Sequence, residues 1–172
     1  MLSREQIDEA GTPVLFVELV ASGQNGTLTP YPGQGVGQTW LGADGATITF
    51  QKGILKASRG MGDDLMGSFS SIPPWSKINY ETEPYSRKMI YVTGNNKVSE
   101  LIFECDIQKS KFKEVIDIWD LKFQVRRFEE NCYNKHFGIR NVYYLDANNI
   151  VRKSSQYHGD TVGYIITKRI ER

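Results

Sequence analysis

Few residues in this chain have the type and spacing that metal binding or catalysis requires. The chain has two histidines, His136 and His158, and neither lies at a metal-ligand spacing from another histidine or from a cysteine. No Gly-x-Ser-x-Gly segment is present, and the 20 acidic residues include no pair that spacing selects for glycoside hydrolysis. His158-Gly159-Asp160 is more typical of a turn between strands than of a catalytic group. We therefore predict no catalytic residues, no metal and no cofactor.

A glycine- and acid-rich segment is the most distinctive motif. It reads Gly60-Met61-Gly62-Asp63-Asp64-Leu65-Met66. Gly60 and Gly62 allow a sharp turn, while Asp63 and Asp64 can cap and start a short helix. The segment lacks the alternating acidic loop of a calcium site. We therefore predict a structural corner.

Aromatic residues offer a second kind of chemistry, because flat rings can stack on sugar rings. Trp40 and Trp75 are the main candidates for such contacts, although aromatic residues of a β protein commonly pack in the core. The glycine-rich stretch at 33–37 has no Lys-Ser/Thr completion and is not a phosphate loop. A net charge of +1 is too balanced for a nucleic-acid partner, which we exclude.

Composition and length predict one folded domain over residues 1–172. A chain of this size buries enough surface to fold alone. No run of 18 apolar residues is present, and the chain begins without the pattern of a secretion signal. Ser3 and Gln6 form a capping box that predicts a short helix through Ala10.

The rest of the chain predicts strands separated by turns. The apolar segment 14–20 is typical of a central strand, whereas the glycine-rich stretch 22–39 predicts a long loop with a short strand near Leu28. Three prolines make 68–86 an irregular excursion. We predict about nine strands, among them 46–51, 54–59, 87–93, 98–106, 121–131, 139–146, 150–157 and 161–170. Residues 112–118 fit a strand better than a helix.

This pattern of turns favours an all-β fold, an antiparallel meander that forms a sandwich or an open barrel, with a short N-terminal helix. The residues alone leave two alternatives for Cys105 and Cys132, a disulfide or two buried free thiols.

Several motifs follow one another in a distinctive order. They are Thr12 to Leu15, Thr39-Trp40, Asp44-Gly45, Ile48-Thr49, Lys52 to Leu55, Gly60 to Met66, Cys105, Cys132, Tyr143 to Asp146, and Ile150 to Tyr157. In these motifs and their order, the chain from Pro13 onward resembles the YjbF/GfcB family of lipoproteins encoded with exopolysaccharide and group 4 capsule machinery.

The resemblance implies a non-catalytic accessory protein of capsule or exopolysaccharide assembly or secretion. Such a protein would bind export-complex proteins or polysaccharide at the periplasmic face of the outer membrane, held only by an N-terminal lipid anchor that this chain lacks. It also implies a Cys105–Cys132 disulfide and adds Arg152 and Tyr157 to Trp40 and Trp75 as possible sugar or partner contacts. The alternative function is a carbohydrate-modifying enzyme of the cell envelope.

Overall fold

The structure is a computed structural model that describes residues 5, 9, 11–33, 37–79 and 82–171. Twelve strands are present among these residues. Their bounds are β1 Val14–Leu19, β2 Gln24–Tyr31, β3 Gln38–Gly42, β4 Thr47–Gln51, β5 Ile54–Arg59, β6 Asp64–Ser70, β7 Tyr85–Val92, β8 Val98–Ile118, β9 Leu121–Tyr133, β10 Gly138–Leu145, β11 Val151–Gly159 and β12 Gly163–Ile170. The helix predicted from Ser3 to Ala10 lies outside the described residues, apart from Glu5 and Glu9.

The strands form one antiparallel sheet that curls into a nearly closed barrel. Its order is β5-β4-β3-β2-β1-β12-β11-β10-β9-β8-β7-β6, so every pair of strands adjacent in sequence is also adjacent in the sheet except β5 and β6, and β1 pairs in addition with β12. The first and last strands therefore lie side by side in the middle of the sheet, with Val14 opposite Ile170. The prediction of an all-β meander is confirmed, and the architecture is the barrel rather than the sandwich.

Two local expectations need correction. The stretch 22–39 is not mainly loop, because β2 runs for eight residues and β3 begins at residue 38. Only Leu28 of β2 is buried, so this strand is held by ladders to β1 and β3 rather than by apolar burial. Residues 68–70 belong to β6 instead of the irregular excursion. Residues 112–118 are strand, as predicted.

The barrel has a seam between β5 and β6, which share no backbone ladder among the described residues. Side chains of β5 bridge this seam instead. Lys56 Nζ donates to the carbonyl of Ser68 at 3.0 Å, and Arg59 Nη1 donates to the carbonyl of Leu65 at 2.9 Å. Burial, followed by the charge of Arg87, lowers the pKa of Lys56.

The excursion between β6 and β7 closes one end of the barrel. A 3₁₀ turn at Trp75–Lys77 carries Trp75 into the core, where its indole Nε1 donates to the carbonyl of Lys52 at 2.9 Å. Ile78 is also fully buried. We call the end of the barrel that Trp75 and Ile78 fill the plugged end, and the opposite end the open end. β1 begins at the plugged end and runs toward the open end. Among the described residues, no helix is long and apolar enough to cross a bilayer.

Candidate functional site

A cleft of about 840 Å³ lies at the open end of the barrel. Four turns surround it, those joining β1 to β2, β3 to β4, β5 to β6 and β11 to β12. The residues that line it are Phe16, Val17, Leu19, Ser22, Gln24, Asn25, Gly26, Thr27, Leu28, Gly42, Ala43, Asp44, Ala46, Ile48, Gly60, Met61, Gly62, Thr161 and Val162. The distinctive motif of the sequence therefore forms part of the cleft wall.

Glycine is required where the motif turns. Gly60 and Gly62 have φ of +76° and +101°, a region that residues with a side chain rarely adopt. A Cβ on Gly62 would also lie 2.9 Å from Cγ2 of Thr161. The two glycines thus allow the β5–β6 turn to approach the β11–β12 turn closely at the cleft rim.

The two aspartates of the motif hold this rim together. The backbone N–H of Gly60 donates to Asp64 Oδ1 at 2.8 Å, which closes the turn on itself. The hydroxyl of Thr161 donates to Asp63 Oδ2 at 2.7 Å, which joins two turns that are distant in sequence. The helix predicted here is wrong, because Asp64 begins β6 and both carboxylates satisfy turn groups instead of helical N–H groups.

The lining combines an apolar floor with small polar groups. Leu28, Ile48 and Val162 are buried, while the rim carries the hydroxyls and amides of residues such as Ser22, Asn25 and Thr161. Among the described lining residues, Asp44 is the only charged one, and none is Lys, Arg or His. Such a surface suits an uncharged ligand that bears hydroxyl and methyl groups.

A buried serine–histidine pair lies near the motif. Ser58 Oγ is 2.6 Å from His158 Nε2 and accepts the Leu65 N–H at 3.2 Å, so the hydroxyl joins the imidazole to the backbone of β6. Burial lowers the pKa of His158 to about 4, although Asp64 and Asp63 oppose that shift. Both side chains are 1% exposed. They are therefore closed to a substrate and link β5, β6 and β11 across the seam.

Sequence reasoning did not find this pair, because Ser58 and His158 are 100 residues apart. The turn predicted at His158-Gly159-Asp160 is correct only for Asp160, since the other two residues end β11. Alternation along β11 was the available signal, because Ser154, Gln156 and His158 all share one face with their neighbours in the barrel interior.

A second buried polar cluster surrounds Glu130. This carboxylate accepts hydrogen bonds from Arg87 Nη2 at 2.6 Å, the Tyr85 hydroxyl at 2.6 Å, Asn141 Nδ2 at 2.7 Å and the Tyr143 hydroxyl at 2.9 Å. Burial by itself would raise the pKa of Glu130, but the charge of Arg87 and the hydrogen bonds lower it overall. The cluster is fully satisfied and enclosed, which identifies it as a structural element of the core.

Cys105 and Cys132 lie directly opposite each other on β8 and β9 and are joined as a disulfide, with sulfur atoms 2.01 Å apart. Their sulfurs and the Glu130 carboxylate fall within 4.8 Å of one another. This group does not fit a metal, because the disulfide sulfurs are not thiolates and the carboxylate already accepts from four side chains.

The four predicted contact residues are all buried, which corrects the expectation that they face a sugar or a partner. Trp40 packs in the core, Trp75 fills the plugged end, and Tyr157 donates its hydroxyl to Asp160 at 2.6 Å. Arg152 Nε donates to Asp146 Oδ2 at 2.7 Å. Composition could not separate packed from exposed aromatic rings, because burial depends on the final register of the strands.

Comparison with known proteins gives a family and a fold. The sequence model of the family described as "Group 4 capsule polysaccharide lipoprotein gfcB, YjbF" matches residues 1–170. The chain is similar to the crystal structure of the hypothetical lipoprotein YmcC from Escherichia coli (K12), with a TM-score of 0.79 and 16% sequence identity over 98% of this chain and 88% of that one. At this identity the likeness supports the fold alone. No curated protein matches the chain.

Proposed function

Because this chain belongs to the group 4 capsule polysaccharide lipoprotein family, we propose that it is a non-catalytic accessory protein of capsule or exopolysaccharide assembly and secretion that binds saccharide in the open-end cleft. Membership in a lipoprotein family implies a membrane-anchored protein of the cell envelope. We further propose that the domain lies at the periplasmic face of the outer membrane, where a growing or exported glycan passes.

The cleft is the observation that carries this proposal. Its volume of about 840 Å³ lies within the range of roughly 300–1,000 Å³ that is usual for small-molecule sites. Leu28 and Val162 offer apolar contact for the carbon faces of a sugar, and Asn25 and Thr161 offer hydrogen bonds to hydroxyl groups. Such a site would hold a short segment of a polysaccharide.

The charges of the cleft favour neutral sugars. A uronate or another acidic sugar would enter without a cationic partner among the described lining residues and would lie near the carboxylate of Asp44. Moving an anion out of water without a counter-charge is unfavourable. We therefore expect neutral hexoses, deoxyhexoses and N-acetylhexosamines to bind in preference to acidic sugars.

Binding without turnover agrees with the same lining. Glycoside hydrolysis requires two carboxyl groups across the scissile bond. Asp44 is the one carboxylate among the described lining residues, while Asp63 already accepts from Thr161 at the rim. The buried Ser58–His158 pair cannot reach a ligand in the cleft without a rearrangement of the seam. No feature of the described site favours the enzyme alternative.

Gly26 provides a sharp test, because a side chain there can fill the cleft without strain. Gly26 lies opposite Val17 in the β1–β2 ladder, so a new side chain would share the face on which Val17 lines the cleft. A Cβ at Gly26 would meet no atom within 4 Å. Gly94 has the same free space but lies in the β7–β8 turn outside the cleft lining, which makes Gly94→Phe a matched control.

The assay is calorimetric titration and saturation-transfer NMR with a panel of neutral oligosaccharides and a matched panel that contains uronic acids. We expect the neutral panel to contain ligands, Gly26→Phe to weaken their binding at least about tenfold by filling the site, and Gly94→Phe to bind like the wild type. Absence of binding to every member of both panels by the folded protein would overturn the proposal and leave export-complex proteins as the partner class. Equal binding of acidic sugars would overturn the neutral specificity.

A further inference from the structure

A long hairpin extends past the plugged end of the barrel. β7 pairs with β8 only as far as Cys105, and β10 pairs with β9 only as far as Arg126. Beyond these points β8 and β9 continue alone to the turn at Trp119 and Asp120. We call residues 109–126 the arm. Apart from Arg126, which still pairs with Leu145 of β10, its strands have no further strand neighbour among the described residues.

The tip of the arm is fixed against the barrel. Ile118 is buried in a small cluster with Val14 and Ile170, the first residue of β1 and the last of β12. The ring of Trp119 packs edge-on against Phe16, with centroids 6.4 Å apart. Trp119 also has a φ of +50°, which costs about 1–2 kcal/mol for a residue with a side chain. These contacts hold the arm in one position.

The middle of the arm presents a bulge to solvent. Lys109 pairs with Phe128 and Lys113 with Arg126, so three residues of β8 stand opposite the single residue Arg127. This bulge turns Phe112 outward until 82% of it is exposed, more than any other large hydrophobic residue among those described. Val115 is exposed nearby. The arm therefore displays an aromatic ring that no described element of the barrel covers.

The exposed ring lies among positive charges. Lys111 and Lys113 flank Phe112 directly, and the arm also carries Lys109, Lys122 and Arg126. Against these five cations stand three anions, Glu114, Asp117 and Asp120. Apolar and aromatic side chains within a basic surface are the combination that favours the interface of an anionic bilayer, where the ring enters the headgroup region and the lysines meet phosphates.

We propose that the arm rests on a phospholipid membrane surface that contains anionic lipids, with Phe112 inserted among the headgroups. Two further observations support this occupant. The family is described as one of lipoproteins, which associate with membranes. Val14, the first residue of β1, packs against the arm tip, so β1 begins beside the arm.

This contact orients the molecule. The arm lies at the start of β1, and Leu19 at the other end of β1 lines the cleft. With the arm on the membrane, the open-end cleft faces away from the bilayer and into the surrounding compartment. The arm tip touches the cleft lining where Trp119 packs against Phe16, but Phe112 lies outside that lining, so Phe112→Ala tests the membrane contact independently of saccharide binding.

Vesicle flotation tests the membrane contact. The purified chain is mixed with vesicles of phosphatidylcholine alone or with 40% phosphatidylglycerol, at low and at physiological salt. We expect partitioning onto the anionic vesicles that salt weakens. Phe112→Ala should lower this partitioning about tenfold, because the aromatic ring no longer enters the interface. The control is Phe69→Ala, since Phe69 is also exposed but lies on β6 outside the arm.

Tryptophan fluorescence gives a second measurement. Trp40 and Trp75 are buried, whereas Trp119 at the arm tip is 39% exposed. Brominated lipids in the vesicles should therefore quench part of the emission, and Trp119→Phe should remove that part. Three outcomes would overturn the proposal: no partitioning of the folded protein onto anionic vesicles, partitioning that Phe112→Ala leaves unchanged, or a concentration-dependent dimer that is lost in Phe112→Ala and shows that the ring meets a second copy instead.

Discussion

Removal of the charge from Glu130 should strongly destabilise the barrel. Glu130 is the counter-charge of Arg87, and both side chains are almost completely buried. In Glu130→Gln the guanidinium keeps its positive charge but faces a neutral amide. One oxygen that accepts hydrogen bonds also becomes an NH₂ group that faces donors such as Asn141 Nδ2 and the Tyr143 hydroxyl. The volume of the residue barely changes, so packing effects are small.

The expected loss is about 3–5 kcal/mol of the free energy of unfolding, the usual cost of leaving one partner of a buried ion pair uncompensated. This is a large part of the stability of a single domain, which is about 5–15 kcal/mol. Urea unfolding at pH 7, followed by circular dichroism, measures the loss. The midpoint should fall while the slope with urea stays unchanged, because the surface exposed on unfolding is the same.

The adjacent residue supplies the control. Glu129 pairs with Arg127 and Arg140 at the surface, so Glu129→Gln should cost no more than about 1 kcal/mol. A similar small loss in both variants would refute the reasoning that burial makes the Glu130 pair critical. The double variant Arg87→Met, Glu130→Leu should recover part of the loss, since no unpaired charge remains, although the two tyrosine hydroxyls lose their acceptor.

Three further predictions concern the seam, the disulfide and the motif. The pKa of His158 is about 4 in the folded protein and 6.5 in the unfolded chain, so between these values the unfolded chain binds a proton that the folded protein does not. The free energy of unfolding should therefore fall by up to about 3 kcal/mol as the pH drops from 6.5 to 4. Urea unfolding across this range should show a smaller fall in His158→Gln, and an identical fall in both proteins would count against this role of His158. Mass spectrometry of the protein from an oxidising compartment, without reduction, should detect a peptide pair joined through Cys105 and Cys132, and two free thiols would contradict it. Asp64→Ala should lower the free energy of unfolding by about 1 kcal/mol, because it removes the acceptor of the Gly60 N–H. A lower melting temperature would show this loss, and an unchanged melting curve would argue against a structural role for the motif.

The strands that sequence predicted well are those whose side chains alternate toward one interior. In β12, buried Ile165 and Thr167 mark the core side, while Ile170 packs on the other face against the arm tip, and the prediction over 161–170 is close to the observed strand. β6 was missed for a physical reason. Asp64 and Gly67 are poor strand formers, and Leu65 alone of its first four residues is buried, so pairing with β7 rather than local preference makes this segment a strand.

The candidate site was predicted only in part. The motif that contains Gly60 and Gly62 was recognised as a corner, because positive φ and acidic turn residues are local properties. That this corner borders a cleft could not be inferred, since the other walls come from turns near residues 22, 44 and 161. The aromatic residues predicted to meet a sugar proved to be core residues for the same reason.

The amino-acid sequence alone determined what depends on neighbours along the chain: the all-β class, the meander with its turns, the irregular excursion and the glycine corner. The tertiary structure decided what depends on residues far apart in sequence. Closure of the barrel brings Ser58 to His158 and Arg87 to Glu130, and it gathers four turns around one cleft. It also leaves Phe112 exposed on the arm. Side-chain burial and hydrogen-bond partners arise only when strand register and curvature are complete, and no local pattern contains them.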